Sequence, residues 1–239
     1  MQRMKRITLA LAAAIISAGV LPGLASALEL ELGATTSPLV APTCPTGVAQ
    51  TACKIVLTEV TALESNRDGV AYPTTVKKAG LLVAFSIGVS QLSTSASTAQ
   101  QDIAYLDSTH GGPPQVEVTV LRPIGPHANS RWAVAAQSLP FQLLPYLGDI
   151  PQFPLIQPLP VVPGEVVAIT VPTWAPVLSI DLTQSAFAYR QSRSSSCSLT
   201  SSADLAQLTI GDQAGYGCSY RGTRLEYSAT EITSPTPNR

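Results

Sequence analysis

Two histidines, His110 and His127, are the only imidazoles in 239 residues, and they bound the chemistry a catalytic site could use here. A Ser–His–Asp arrangement must recruit one of them. His110 sits in Ser108-Thr-His-Gly-Gly112, a glycine turn that exposes a ring, and His127 lies in the loop-like Gly125-Pro-His-Ala128. No G-x-S-x-G elbow and no S-x-x-K pair accompanies them. Both read first as surface histidines in turns. Paired carboxylates offer a second chemistry, glycoside hydrolysis. Glu59, Glu64, Asp68, Asp149, Asp181 and Asp212 stand near strand ends, but their spacing selects no pair.

Binding has more to work with. Sugar rings stack on displayed aromatic faces, and Trp174, in Val171-Pro-Thr-Trp-Ala-Pro176, lies between two prolines just after a strong strand. It has two readings: an indole displayed at a strand end, or a core plug with its N–H on a backbone carbonyl. Trp132 shares a face with Val134 and belongs to the core. Four cysteines, Cys44, Cys53, Cys197 and Cys218, allow three pairings. The local pairs Cys44–Cys53 and Cys197–Cys218 are favoured because short loops close most readily. If Cys197 bonds Cys218, Arg190 and Arg193 are drawn towards Arg221 and Arg224. Four arginines at one end could then hold a uronate or a phosphate, unless they pair with Asp204, Asp212 and Glu226.

Other chemistry lacks its signature. There is no C-x-x-C spacing for zinc, no D-x-[DN]-x-[DN]-G calcium loop, no glycine-rich phosphate cradle and no N-x-[ST] sequon. Asp68, Asp102 and Asp107 are too scattered for a metal site. The residues point to no cofactor.

The elements that must position these side chains are strands. Alternation of period two places Leu81, Val83, Phe85, Ile87 and Val89 on one face. It does the same for Val116, Val118 and Val120, for Trp132, Val134 and Ala136, and for Leu225, Tyr227 and Ala229. Further strands are predicted at 54–62, 165–171, 186–191 and 205–210. Turn signals separate them, including Asn66-Arg-Asp-Gly69, Gly111-Gly-Pro-Pro114 and Pro163-Gly164. Residues 90–101, rich in Ser, Thr, Ala and Gln, read as a solvated loop. Residues 140–163 hold seven prolines, each lacking a backbone donor. They read as an irregular crossover with short edge pairings at most. Strands in succession, without helical patterns between them, predict an all-β, antiparallel two-sheet sandwich.

The address comes from the first 27 residues. Arg3, Lys5 and Arg6, the apolar run 7–20 and Ala25-Ser26-Ala27 form a secretory signal peptide, predicting an oxidising compartment outside the cytoplasm. Its removal leaves eleven basic against fifteen acidic residues, a formal −4, which predicts no attraction to nucleic acid. No second apolar run reaches the roughly 18–20 residues that span a bilayer. The expected organisation is a signal peptide at 1–27, a flexible arm at 28–43, one sandwich domain at 44–232 and a disordered tail at 233–239.

The stretch Leu159-Pro-Val-Val-Pro-Gly-Glu-Val-Val-Ala-Ile-Thr-Val-Pro-Thr-Trp-Ala-Pro176, with Tyr216-Gly-Cys-Ser-Tyr-Arg-Gly-Thr-Arg-Leu-Glu-Tyr-Ser-Ala229, resembles secreted bacterial β-sandwich proteins that lack an assigned function. That resemblance, over roughly 44–232, implies a jelly-roll-like sandwich and secretion, and supplies no catalytic residues. The expectation is a secreted or surface-associated, non-catalytic interaction module that binds carbohydrate or cell-envelope polysaccharide. Its candidate contacts are Trp174, Arg190, Arg193, Arg221 and Arg224. The alternatives are a structural subunit of a cell-surface or matrix assembly and a hydrolase using carboxylates or a histidine.

Overall fold

The computed structural model describes residues 27–45, 48, 55–125, 131–193 and 206–234. Its strands are β1 (Glu29–Leu32), β2 (Leu57–Arg67), β3 (Val70–Ala71), β4 (Gly80–Ile87), β5 (Gln115–Pro123), β6 (Arg131–Gln137), β7 (Phe141–Gln142) and β8 (Gln152–Val161). They continue with β9 (Val166–Ala175), β10 (Leu178–Ser179), β11 (Ala188–Gln191), β12 (Gln213–Gly215), β13 (Ser219–Arg221), β14 (Arg224–Leu225) and β15 (Tyr227–Thr233). Among the described residues one α-helix, α1 (Ala96–Thr109), interrupts them. The smaller sheet runs β1-β15-β4-β8. The larger runs β12-β6-β5-β9-β2-β11-β13, with β3 on β2 and β7 on β5, while β10 and β14 pair separately. All these ladders are antiparallel, and the protein is an all-β sandwich.

Alternation builds the core, but bulges reset its phase. Phe85 and Ile87 of β4 face Val118, Val120 and Ile169 of the large sheet in the main core. In β4 the partners of Thr230 and Glu231 are Ala84 and Leu82, so Val83 is an extra residue. An inserted residue inverts the facing of everything beyond it. Leu81, expected inside, is therefore 44 % exposed, and Leu82 is buried instead. Ala135 does the same in β6. Trp132 and Val134 pack with Leu121 on the far face of the large sheet, while Ala136 joins the inter-sheet core.

Four expectations need correction. Residues 28–43 are not a loose arm: β1 pairs β15, and Ser37 donates from N (2.8 Å) and Oγ (2.6 Å) to Asp68. Partial burial works against that carboxylate's charge, but these bonds outweigh it and hold Asp68 down to about 2. The proline-rich stretch contains β8, ten residues long, at the edge of the small sheet, where missing N–H groups cost nothing on the open side. Residues 206–210 form no strand; Asp212 Oδ2 accepts from Leu208 N and Thr209 N in a turn. Residues 96–101 open α1, capped by Ser95 Oγ on Thr98 N. Its inward side carries Asp102, Leu106 and the partly buried Ile103, too thin a stripe to register as helical periodicity.

Tyr227 ties the two sheets together. The β2–β9 ladder ends at Ala62↔Ile169. Beyond it Tyr227 Oη donates to Val167 O (2.8 Å) and accepts from Glu64 N (3.4 Å), and burial pushes the phenol up. Tyr227→Phe leaves both backbone groups buried and unpaired, so a loss of about 1–3 kcal/mol is expected in urea unfolding. An unchanged midpoint would remove the hydroxyl from this role.

Candidate functional site

The structure disperses the residues the sequence nominated. Trp174 is completely buried. Its Nε1–H donates to Asp107 Oδ1 (2.9 Å) and Gly112 O (3.1 Å), and Leu92 and Leu106 cover its ring. A side chain under a helix offers no face to a sugar, so Trp174 is the core plug and not a ligand contact. Among the described residues the arginines are not gathered on one concavity either. Arg190 NH1 donates to Tyr216 O (2.8 Å) from the face opposite its strand neighbours Tyr189 and Gln191. Arg224 is buried, with Nε 3.2 Å from Glu226 Oε2 and NH2 donating to Ser37 O. Arg221 is exposed on β13. Arg193 lines the polar cavity between β2 and β11.

Of the cysteines, Cys44 and Cys218 are described, and neither is a free thiol. Cys53 and Cys197, and with them the pairing, lie outside the described residues, as does His127. Among the described residues no cluster of His, Cys, Asp and Glu could hold a metal ion, and no helix is long and apolar enough to cross a membrane.

What the fold does assemble is a polar cavity of about 330 Å³ where β2 meets β11 and β13. Tyr189 and Tyr220 are direct cross-strand partners, and their rings stack at 4.7 Å and 13°. Gln191 lies two residues along from Tyr189 on the same face. Its Nε2 donates to Tyr220 Oη (3.1 Å), which also accepts from Arg193 NH1 (3.2 Å). Burial, with Tyr220 close by, pushes the Tyr189 phenol up. Thr58 and Glu59 complete the polar wall, over Leu57 and Val60.

Glu59 owes its place to a backbone irregularity. Thr58 pairs Trp174 and Val60 pairs Val171, so Glu59 alone stands opposite two residues of a bulged β9, Pro172 and Thr173, and it does so at φ 47°. A non-glycine residue in this region is strained by roughly 1–3 kcal/mol, and bulges re-aim side chains at functional edges. His110, the C-cap of α1, donates Nδ1–H to Glu59 Oε2 at 3.2 Å. A carboxylate-held imidazole is part of a hydrolytic triad. No hydroxyl is hydrogen-bonded to this ring among the described residues. The arrangement is equipped to bind polar, ring-bearing ligands.

Sequence reasoning passed over Tyr189, Gln191 and Tyr220, although the i, i+2 spacing of the first two places them on one face of a predicted strand. Glu59 had appeared only as one carboxylate among six, and nothing in Thr58-Glu-Val60 announces that it would face a bulge of β9. No protein-family profile matches the chain, and no curated protein or solved structure was found to be similar to it.

Proposed function

We propose that this chain is an exported, non-catalytic β-sandwich module that binds sugar units of a polysaccharide in the Tyr189–Tyr220 cavity. The observation that carries the reading is the convergence of a stacked tyrosine pair, an amide, a guanidinium and a carboxylate on one concavity. Sugars ask for that combination: a flat apolar face and several oriented hydrogen-bonding groups. Export through the signal at 1–27 and disulfides at Cys44–Cys53 and Cys197–Cys218 belong to the same reading.

Retention on immobilised polysaccharides tests it. Tyr220→Ala removes the half-buried ring and the acceptor shared by Gln191 and Arg193, and about a tenfold loss of affinity is expected, with folding checked by thermal melting. Full retention by a folded Tyr220→Ala protein would move the site elsewhere. A structural role in a surface or matrix assembly is favoured by one other observation. Leu139 and Ile156, 68 % and 82 % exposed, flank an apolar groove of about 250 Å³, and contiguous exposed apolar surface marks contact sites. Concentration-dependent sedimentation distinguishes the two.

A further inference from the structure

The cavity is asymmetric in charge. Among its described lining residues, Glu59 presents a side chain 56 % exposed, whereas Arg193 is 8 % exposed with NH1 on Tyr220 Oη. Glu59 is also held in place. It faces the bulge of β9 at φ 47°, and His110 engages Oε2, while among the described residues Oε1 has no hydrogen bond. The same cavity is lined by the partly exposed Tyr220, stacked on the buried Tyr189, and a tyrosine ring face attracts cations. Gln191 and Thr58 supply groups that hydroxyls can use. The whole chain is formally negative, which favours approach of a cation over an anion. The uronate or phosphate that four gathered arginines would have taken has no such gathering to bind.

From this geometry we infer that the sugar units this cavity takes carry a protonated amine: the ligand is an amino-sugar polymer. The ammonium sits against Glu59 Oε1 in the cavity that Tyr220 lines, and the sugar hydroxyls meet Gln191 and Thr58. This rests on the sugar-binding reading above and adds to it the charge of the ligand. His110 is a positioning residue, holding the carboxylate through its other oxygen.

Calorimetric titration with glucosamine, N-acetylglucosamine and glucose oligosaccharides of equal length is the test, on the unmodified protein and on Glu59→Gln. The glucosamine oligomer should bind about fivefold more tightly than the other two, the factor an exposed ion pair is worth. That advantage should shrink between about 0.05 and 0.5 M salt. Glu59→Gln should abolish the advantage of the glucosamine oligomer and bring the three affinities together. Equal affinities in the unmodified protein overturn the amine assignment and leave the sugar-binding reading intact, as does an advantage that survives Glu59→Gln. Failure of all three oligomers to bind overturns both. N-acetylation removes the charge from the ligand, so the comparison stands even if the variant folds poorly.

Discussion

Trp174→Ala should cost about 3–5 kcal/mol of stability, the range for emptying a large aromatic site in a core. The indole is completely buried on the outer face of β9, beneath α1. Two losses combine. The helix loses the surface on which Leu106 and Ile103 rest. Asp107 Oδ1 and Gly112 O lose the N–H that joins the end of α1 to the following turn. The expected signature is a lower melting temperature together with faster amide exchange across 96–109, since a 14-residue helix without its docking face is marginal in water. Trp174→Phe should be milder, keeping most of the packing and losing the hydrogen bonds. A Trp174→Ala protein with unchanged melting and unchanged exchange in α1 would refute the plug. Any fall in polysaccharide retention by this variant reports folding rather than a lost contact.

The second large effect is an unusual dependence of stability on pH. Four carboxyls sit where burial disfavours their charge. Glu64, against Leu225 N, is pushed well up, with Arg67 opposing. Glu117 on β5 is pushed up to about 7 by burial. Glu226 is likewise raised to about 7 by burial, against the pull of Ser179, Val40 N and Arg67. Burial raises Glu231 also, with Lys78 opposing.

A carboxyl raised on folding keeps its proton at pH values where the unfolded chain has released it. Its contribution is complete below the unfolded value near 4.5 and is lost as pH rises through about 7. Asp68 works in the opposite sense: its contribution is present above 3.8 and is lost as pH falls through about 2. Maximum stability is therefore expected near pH 4–5. Shifts the size of those at Glu117 and Glu226 are each worth on the order of 3 kcal/mol at most, so melting should fall by about 10 °C between pH 5 and pH 8. Glu226→Gln should flatten part of that slope. A melting temperature that is level or rises over this interval would show that Arg67 and Arg224 hold these carboxylates ionised.

Much of the architecture was legible in the residues, and the reason is local. Period-two alternation reports a half-buried strand because side chains point to opposite faces whatever the partner. That is why β5, β9 and the core residues of β15 lay where the pattern placed them. The predicted all-β class followed. The phase of each strand was another matter. Val83 and Ala135 are extra residues, and Glu59 faces two residues of β9, in ladders whose existence depends on the neighbouring strand. No run of ten residues contains that information. Proline likewise announced missing donors at 154, 158 and 160, but only the position of β8 at a sheet edge made a strand there acceptable.

The candidate site was the least legible part, because its members meet only through pairing. Tyr189 and Tyr220 lie thirty-one positions apart and stack because β11 and β13 are antiparallel neighbours in one register. His110 reaches Glu59 only because α1 lies over β9, which pairs β2 at the bulge. Trp174 carried the strongest chemical signal along the chain, yet burial under a helix made it structural. By itself the sequence determined the strand-forming segments, an all-β class and the supply of chemically useful groups, since those depend on residue type and spacing alone. Which groups face solvent together was decided by long-range pairing, bulge phase and burial, all of which exist only once the sheets have formed.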